Sequence, residues 1–285
     1  MSSATRLEPR QLIDLDRFPM DDIDSPAGRA VVERFAADLR DTGLCRAEGF
    51  LRPAAVDTLC AEAERLAAGA SYALKSCNPY FTKKNPDLPD DDARNIMTPR
   101  CLGMVAGDLI PEESGLKTLY RWAPLHRFLT AILGQGQVHE LADPYQCLNI
   151  SVMPEGPGHN WHFDDPDFVV TLMLQKPEAG GAFECVPNIR SPENENYAGV
   201  RDVLLGAREK INVVPFQPGT LMIFRGRYAL HRVSPVEGSR LRLIAVLSYS
   251  TQRGYLGSDL ANRLVYGERT ARSPEARERP SNTMP

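Results

Sequence analysis

Hydrophobic positions recur at two different periods along this chain. From Pro26 to Thr42 the segment PAGRAVVERFAADLRDT sets Val31, Val32, Phe35 and Leu39 on one stripe at helical spacing, and Gly43 closes it. Ala54 to Ala68 repeats the pattern through Val56, Leu59, Cys60, Ala63 and Leu66, with Gly69 beyond. Gly115 to Leu133 is helical again, with a kink expected at Pro124 because proline has no amide proton to donate. After Gly134 the texture becomes short β-branched or alternating runs: YQCLNISVMP, FVVTLMLQ, GAFECVP, KINVVPF, GTLMIF, ALHRVSPV and RLRLIAVLSYS. Gly and Pro turns separate them, and one helical insert lies near Asn196 to Ala207. The pattern predicts a mainly β barrel or sandwich over residues 135–266, with an N-terminal helical region over 1–134 packed on it.

Two stretches have no sustained period. Residues 75–111 are rich in Pro, Asn and Asp, and an irregular segment of that length inside a compact chain reads as a lid over a binding site. Residues 267–285 are polar and rich in Pro, Arg and Glu, and read as a disordered tail. No internal repeat is present.

Composition narrows the function. A chain of 285 residues, 42% hydrophobic, is long enough to bury a sizeable core. A formal net charge of -4 gives no footprint for nucleic acid or an anionic membrane. The start MSSATRLEPRQLIDLDRF lacks a secretory pattern and no apolar run is long enough to span a bilayer, so a cytoplasmic protein acting on a small molecule is expected. The six cysteines include no C-x-x-C pair, so they are expected to be reduced packing residues. The oligomeric state stays open, a homodimer included.

The chemistry concentrates in HNWHFDDPDF, His159 to Phe168. In an extended segment His162 and Asp164 point to the same side, so an imidazole and a carboxylate converge there. His231, in ALHRV after GTLMIF, can supply a second imidazole from another strand. Two histidines and one carboxylate with open positions left over make the facial triad of non-haem Fe(II) sites, although zinc accepts the same donors. Arg242 follows His231 in a strand, with Arg240 as its alternative, and an arginine fork suits capture of a carboxylate.

Taken together, His162-x-Asp164, His231 and Arg242 make residues 143–250 resemble the double-stranded β-helix (cupin, jelly-roll) core of Fe(II)/2-oxoglutarate-dependent dioxygenases. The stretches RNIMTPR, DLIP, HNWHFD, GGAFE and RLVYGERT are similar to the subgroup containing radical halogenases of free amino acids such as lysine, and their hydroxylase relatives. The resemblance implies Fe(II) held by His162, Asp164 and His231, with 2-oxoglutarate and O2 as cosubstrates, 2-oxoglutarate bound by Arg242, and succinate and CO2 released. The halogenases carry Gly or Ala where this chain has Asp164, which leaves a position for chloride. A carboxylate there implies hydroxylation of a C–H bond instead.

The remaining polar residues each have two readings. Asn149 and Ser151 alternate on one strand and are candidates to line the barrel beside 2-oxoglutarate. His159 is either a loop histidine bonded to backbone or a substrate contact, and Asp165 either a turn residue before Pro166 or the partner of a substrate amine. Arg100 is either a solvated lid residue or the group that takes a substrate carboxylate. Asp143 is either a turn residue in ADPY or a distal carboxylate for a side-chain amine. Arg100 with Asp165 would select a zwitterion, so a free amino acid or close amine analogue is the expected substrate. Desaturation, cyclisation or C–N cleavage at the same site is the alternative, and a non-catalytic cupin-like binding protein or a zinc hydrolase is the reading from other classes.

Overall fold

The computed structural model describes residues 7–270. The helix Pro26–Thr42 starts where Ser25 accepts a hydrogen bond from Gly28 N at 3.0 Å and Pro26 occupies the first turn. It stops at Gly43, whose φ of 75° is open to glycine at little cost, and the chain turns directly into the strand Leu44–Ala47. A second helix covers Pro53–Ala67. The expected single helix from Gly115 is instead two, Gly115–Tyr120 and Ala123–Leu133. Pro124 lies in the first turn of the second, where its missing N–H is harmless, so it starts a helix rather than kinking one.

The described strands form two main antiparallel sheets, beside two short two-stranded ones. The larger has seven strands in the spatial order Leu44–Ala47, Leu221–Phe224, Val169–Gln175, Arg242–Leu247, Leu148–Met153, Thr98–Val105 and Ser71–Cys77. The smaller has four, Asn212–Val214, Phe183–Val186, Leu230–Val233 and His159–His162. Of the strands after residue 147, eight belong to these two sheets and cross between them at every step but one, Phe183–Val186 to Asn212–Val214, as a jelly roll, the double-stranded β-helix anticipated above.

Alternation decides what each face of the large sheet meets. Along Arg242–Leu247, the side chains of Leu243, Ala245 and Leu247 pack with Phe35, Leu59, Phe128 and Leu129 of the helices. Ile244 joins Met173, Phe183, Cys185, Met222 and Phe224 inside the barrel. The sheet is therefore buried on both faces, which is why its strands read as nearly continuous hydrophobic runs.

Three expectations need correction. The N-terminal region is not only helical, since three of its segments add strands to the large sheet and the two regions share that sheet. The supposed lid is flanked and partly formed by a hairpin, Ser71–Cys77 against Thr98–Val105, and 78–97 is the irregular stretch between those strands. Pairing with Ser71–Cys77 carries the strand through Pro99, and pairing with Leu148–Met153 holds it at Gly103, residues that discourage a strand locally. Finally, a helix at Asp259–Tyr266 follows the barrel, and the tail expected from Gly267 is tied down as far as Thr270 by the Arg269–Asp108 ion pair at 2.7 Å. The rest of that tail lies outside the described residues.

Candidate metal centre

His162 ends the strand His159–His162, and the register sets it directly opposite His231 on the neighbouring strand. Asp164 follows two residues later, its N–H donating to Gly226 O at 3.2 Å. Gly226 must be small, because a Cβ there would come within 2.2 Å of Asp164 Oδ2. The carboxylate then sits between the two rings: Oδ2 is 3.3 Å from His231 Nε2, and Oδ1 is 3.7 Å from His162 Nε2. The three ligand atoms lie within 4.8 Å of one another, the one such group of His, Cys, Asp and Glu among the described residues.

Backbone carbonyls settle which nitrogens face the carboxylate. His162 Nδ1 is 2.7 Å from Asn160 O and His231 Nδ1 is 2.9 Å from Ala229 O. A carbonyl only accepts, so each Nδ1 is the donor, and each Nε2 is directed to the shared point. Burial pushes His162 and His159 well below the usual histidine range, keeping both neutral. Burial also opposes charge on Asp164 and His231, but the two sit side by side, and their attraction wins. Asp164 is held below the usual carboxylate range and His231 above the usual histidine range.

Arg242 begins its strand opposite Met153 and is 2% exposed. Its Nε donates to Gly181 O at 2.9 Å, and no carboxylate of the described residues pairs with it. Burial lowers it to about 10, still a cation at neutral pH. Ser151 and Asn149 lie on the same face as Arg242, as their alternation implies. Asn149 is already engaged, however: its Oδ1 accepts from Tyr266 OH at 2.9 Å and its Nδ2 donates to Tyr145 O at 2.6 Å. Arg240 is exposed and lies before the strand begins, so it is not the buried cation of the pair.

The residues expected around a substrate divide. His159 stacks on His162 with ring centroids 3.7 Å apart, and its Nε2 is shielded from solvent without a hydrogen-bond partner. Arg100 is half-buried, its Nε also without a partner, and its guanidinium lies 5.6 Å from the Phe81 ring. Asp165 is exposed, its carbonyl taken by the Arg227 guanidinium, while Asp167 forms an ion pair with Arg227 at 2.7 Å. Asp143 is a correction. It is fully buried, with Oδ1 accepting from Tyr145 N at 2.9 Å and Oδ2 from Asn262 Nδ2 at 2.9 Å, so its carboxylate organises a turn and anchors the last helix. Sequence reasoning passed over Gly226 and Phe81, the first hidden in a glycine and arginine turn, the second in an aperiodic segment.

A double-stranded β-helix carrying His162, Asp164 and His231 on one point, with a buried unpaired arginine nearby, defines a protein of the 2-oxoglutarate/Fe(II) oxygenase class. A family model described as Halogenase D matches residues 28–261, and the chain belongs to that family. No curated protein matches the sequence. Among solved structures, AviO1 from Streptomyces viridochromogenes is 18% identical with a TM-score of 0.53, over 78% of this chain and 96% of that one. The non-heme alpha ketoglutarate dependent epimerase SnoN from nogalamycin biosynthesis is 15% identical with a TM-score of 0.53, over 78% and 83% of the two chains. A prolyl hydroxylase from Trichoplax adhaerens is 14% identical with a TM-score of 0.51, over 80% and 94%. At such identities the likeness is one of fold. No helix of the described residues is long and apolar enough to cross a membrane.

Proposed function

We propose that this protein is an Fe(II)/2-oxoglutarate-dependent hydroxylase of a small zwitterion, a free amino acid or close amine analogue. The observation that carries the reading is the Asp164 carboxylate, 3.3 Å and 3.7 Å from the two Nε2 atoms. The donor set fits the metal: two nitrogens freed by their backbone bonds and one ionised oxygen converge, and buried Arg242 has no internal counter-ion. When bound, iron with 2-oxoglutarate and O2 supplies the oxidation of a C–H bond.

The chain's own residues then have separate tasks. His162, Asp164 and His231 hold the metal. Arg242 binds the far carboxylate of 2-oxoglutarate through a charge-assisted pair in a site that excludes water. Arg100 and His159, each with a shielded nitrogen in need of a partner, take the substrate carboxylate. Asp165, whose carboxylate is exposed, takes the substrate amine. Within a family described as halogenase, Asp164 favours hydroxylation, because its carboxylate fills the position a halide needs.

Two measurements test this. Anaerobic addition of Fe(II) and 2-oxoglutarate should produce a metal-to-ligand charge-transfer absorption, and its absence would remove the oxygenase reading. A screen of free amino acids for succinate formation should reveal a substrate. Silence across all of them would leave the metal site but reject the amino acid.

A further inference from the structure

Phe81 stands at the edge of this site with its backbone in the left-handed region, φ 54°. A bulky residue seldom adopts that conformation, and it persists only where the surroundings over-determine it. Asn78 does so here. It is fully buried, its Oδ1 accepts from Tyr80 N and Thr82 N at 3.1 Å each, and its Nδ2 donates to Thr82 O at 3.0 Å and to Arg94 O across the loop. These bonds wind residues 78–82 into one turn fastened to the far side of the 78–97 segment. The turn is also strapped to the metal-ligand strand: Phe163 N donates to Pro79 O at 3.0 Å, and the Tyr80 ring packs 5.4 Å from that of Phe163.

Held this way, Phe81 enters no core. It is 47% exposed, so its burial contributes little stability to offset the strain. Its ring instead lies 5.7 Å from the ring of His162 and 5.6 Å from the Arg100 guanidinium. An aromatic face between a metal-ligand imidazole and a cation with an unmet N–H suits a molecule that has both a carboxylate and a carbon chain.

We propose that Phe81 is a specificity-determining residue: it packs against the carbon chain of a substrate whose carboxylate meets Arg100, and it shields the metal position from water. The inference rests on the oxygenase reading above. The test uses the full-length protein with Co(II) as the metal probe. EDTA should extract Co(II) several-fold faster from Phe81→Ala than from wild type. In the Co(II)-loaded protein with 2-oxoglutarate, calorimetry should show Phe81→Ala weakening L-leucine and L-lysine about tenfold, the worth of roughly 50 Å² of apolar contact, with glycine unchanged. Phe81→Gly removes the ring and the strain together, so its melting temperature should equal or exceed that of wild type.

An unchanged Co(II) release rate in Phe81→Ala overturns the inference, as does an unchanged leucine-to-glycine ratio. A Phe81→Gly protein melting several degrees lower also overturns it, since the ring would then be a packing residue. A wild type that takes up Co(II) and 2-oxoglutarate but none of the three amino acids rejects the substrate class proposed above. That failure is read on wild type alone, and so is distinct from a Phe81→Ala protein with unchanged Co(II) release.

Discussion

Replacing Arg242 by Gln separates what the residue does for binding from what it costs the fold. Burial lowers the guanidinium from 12.5 to about 10. The folded value lies below the unfolded one, so folding disfavours the charged form; the cost is fully present below about pH 10 and is relieved only as pH rises towards 12.5. At neutral pH a shift of that size corresponds to roughly 3 kcal/mol. Glutamine escapes it while losing the 2.9 Å bond to Gly181 O, worth about 1.5–3 kcal/mol for a charged donor. The metal-free variant is therefore expected to melt at or slightly above wild type. Binding moves the other way. A carboxylate buried without its cation costs about 3–5 kcal/mol, so the KM for 2-oxoglutarate should rise on the order of a hundredfold or more. Succinate formation against 2-oxoglutarate concentration reads the KM. Melting of the Co(II)-loaded proteins with and without 2-oxoglutarate reads binding independently, and only wild type should gain. Arg240→Gln, an exposed change, should alter neither. An unchanged KM in Arg242→Gln, or an equal rise in Arg240→Gln, refutes the assignment. A large fall in the metal-free melting temperature refutes the claim that the buried cation destabilises the fold.

Three further outcomes are expected. Asp164→Ala should weaken Co(II) binding by more than about 100-fold in calorimetry, since even outer partners of metal ligands are worth 10–100-fold, and should abolish succinate formation; near-wild-type binding would mean another carboxylate holds the metal. Tyr266→Phe removes the 2.9 Å bond to Asn149 and leaves a buried acceptor unmet, about 1–2 kcal/mol, so the melting temperature should drop by about 3–6 °C; no drop would show that the last helix does not stabilise the barrel. Burial pushes the Cys45 thiol up to about 12 and Cys185 to about 11, so iodoacetamide at pH 8 should label both only on unfolding, as peptide mass spectrometry would show. Rapid labelling of the folded protein would contradict their placement in the core.

Much of the site was legible because it is written in local geometry. His162 and Asp164 share a side by the period of an extended chain, and the alternation along Leu148–Met153 puts Ser151 and Asn149 on one face, which the register shows to be the face of Arg242. The helix Pro26–Thr42 was bounded by its own Ser25 cap and Gly43. Alternation could not say that Asn149 spends its oxygen on Tyr266, or that Asp143 bonds Asn262 rather than facing a substrate. Nor could it find the strands on either side of residues 78–97, because an edge strand forms where a neighbour offers pairing, whatever its own propensity.

By itself, then, the sequence determines the helices Pro26–Thr42 and Pro53–Ala67, the alternating strands of the barrel and the pairing of His162 with Asp164 on one side of the chain. Each follows from backbone period, a property of neighbouring residues. Tertiary structure alone decides that His231 lies opposite His162, that Gly226 makes room for Asp164, that Arg242 and not Arg240 is the buried cation, and that Phe81 is held out over His162. Those outcomes depend on contacts between distant segments, and no local period records which distant residue will arrive.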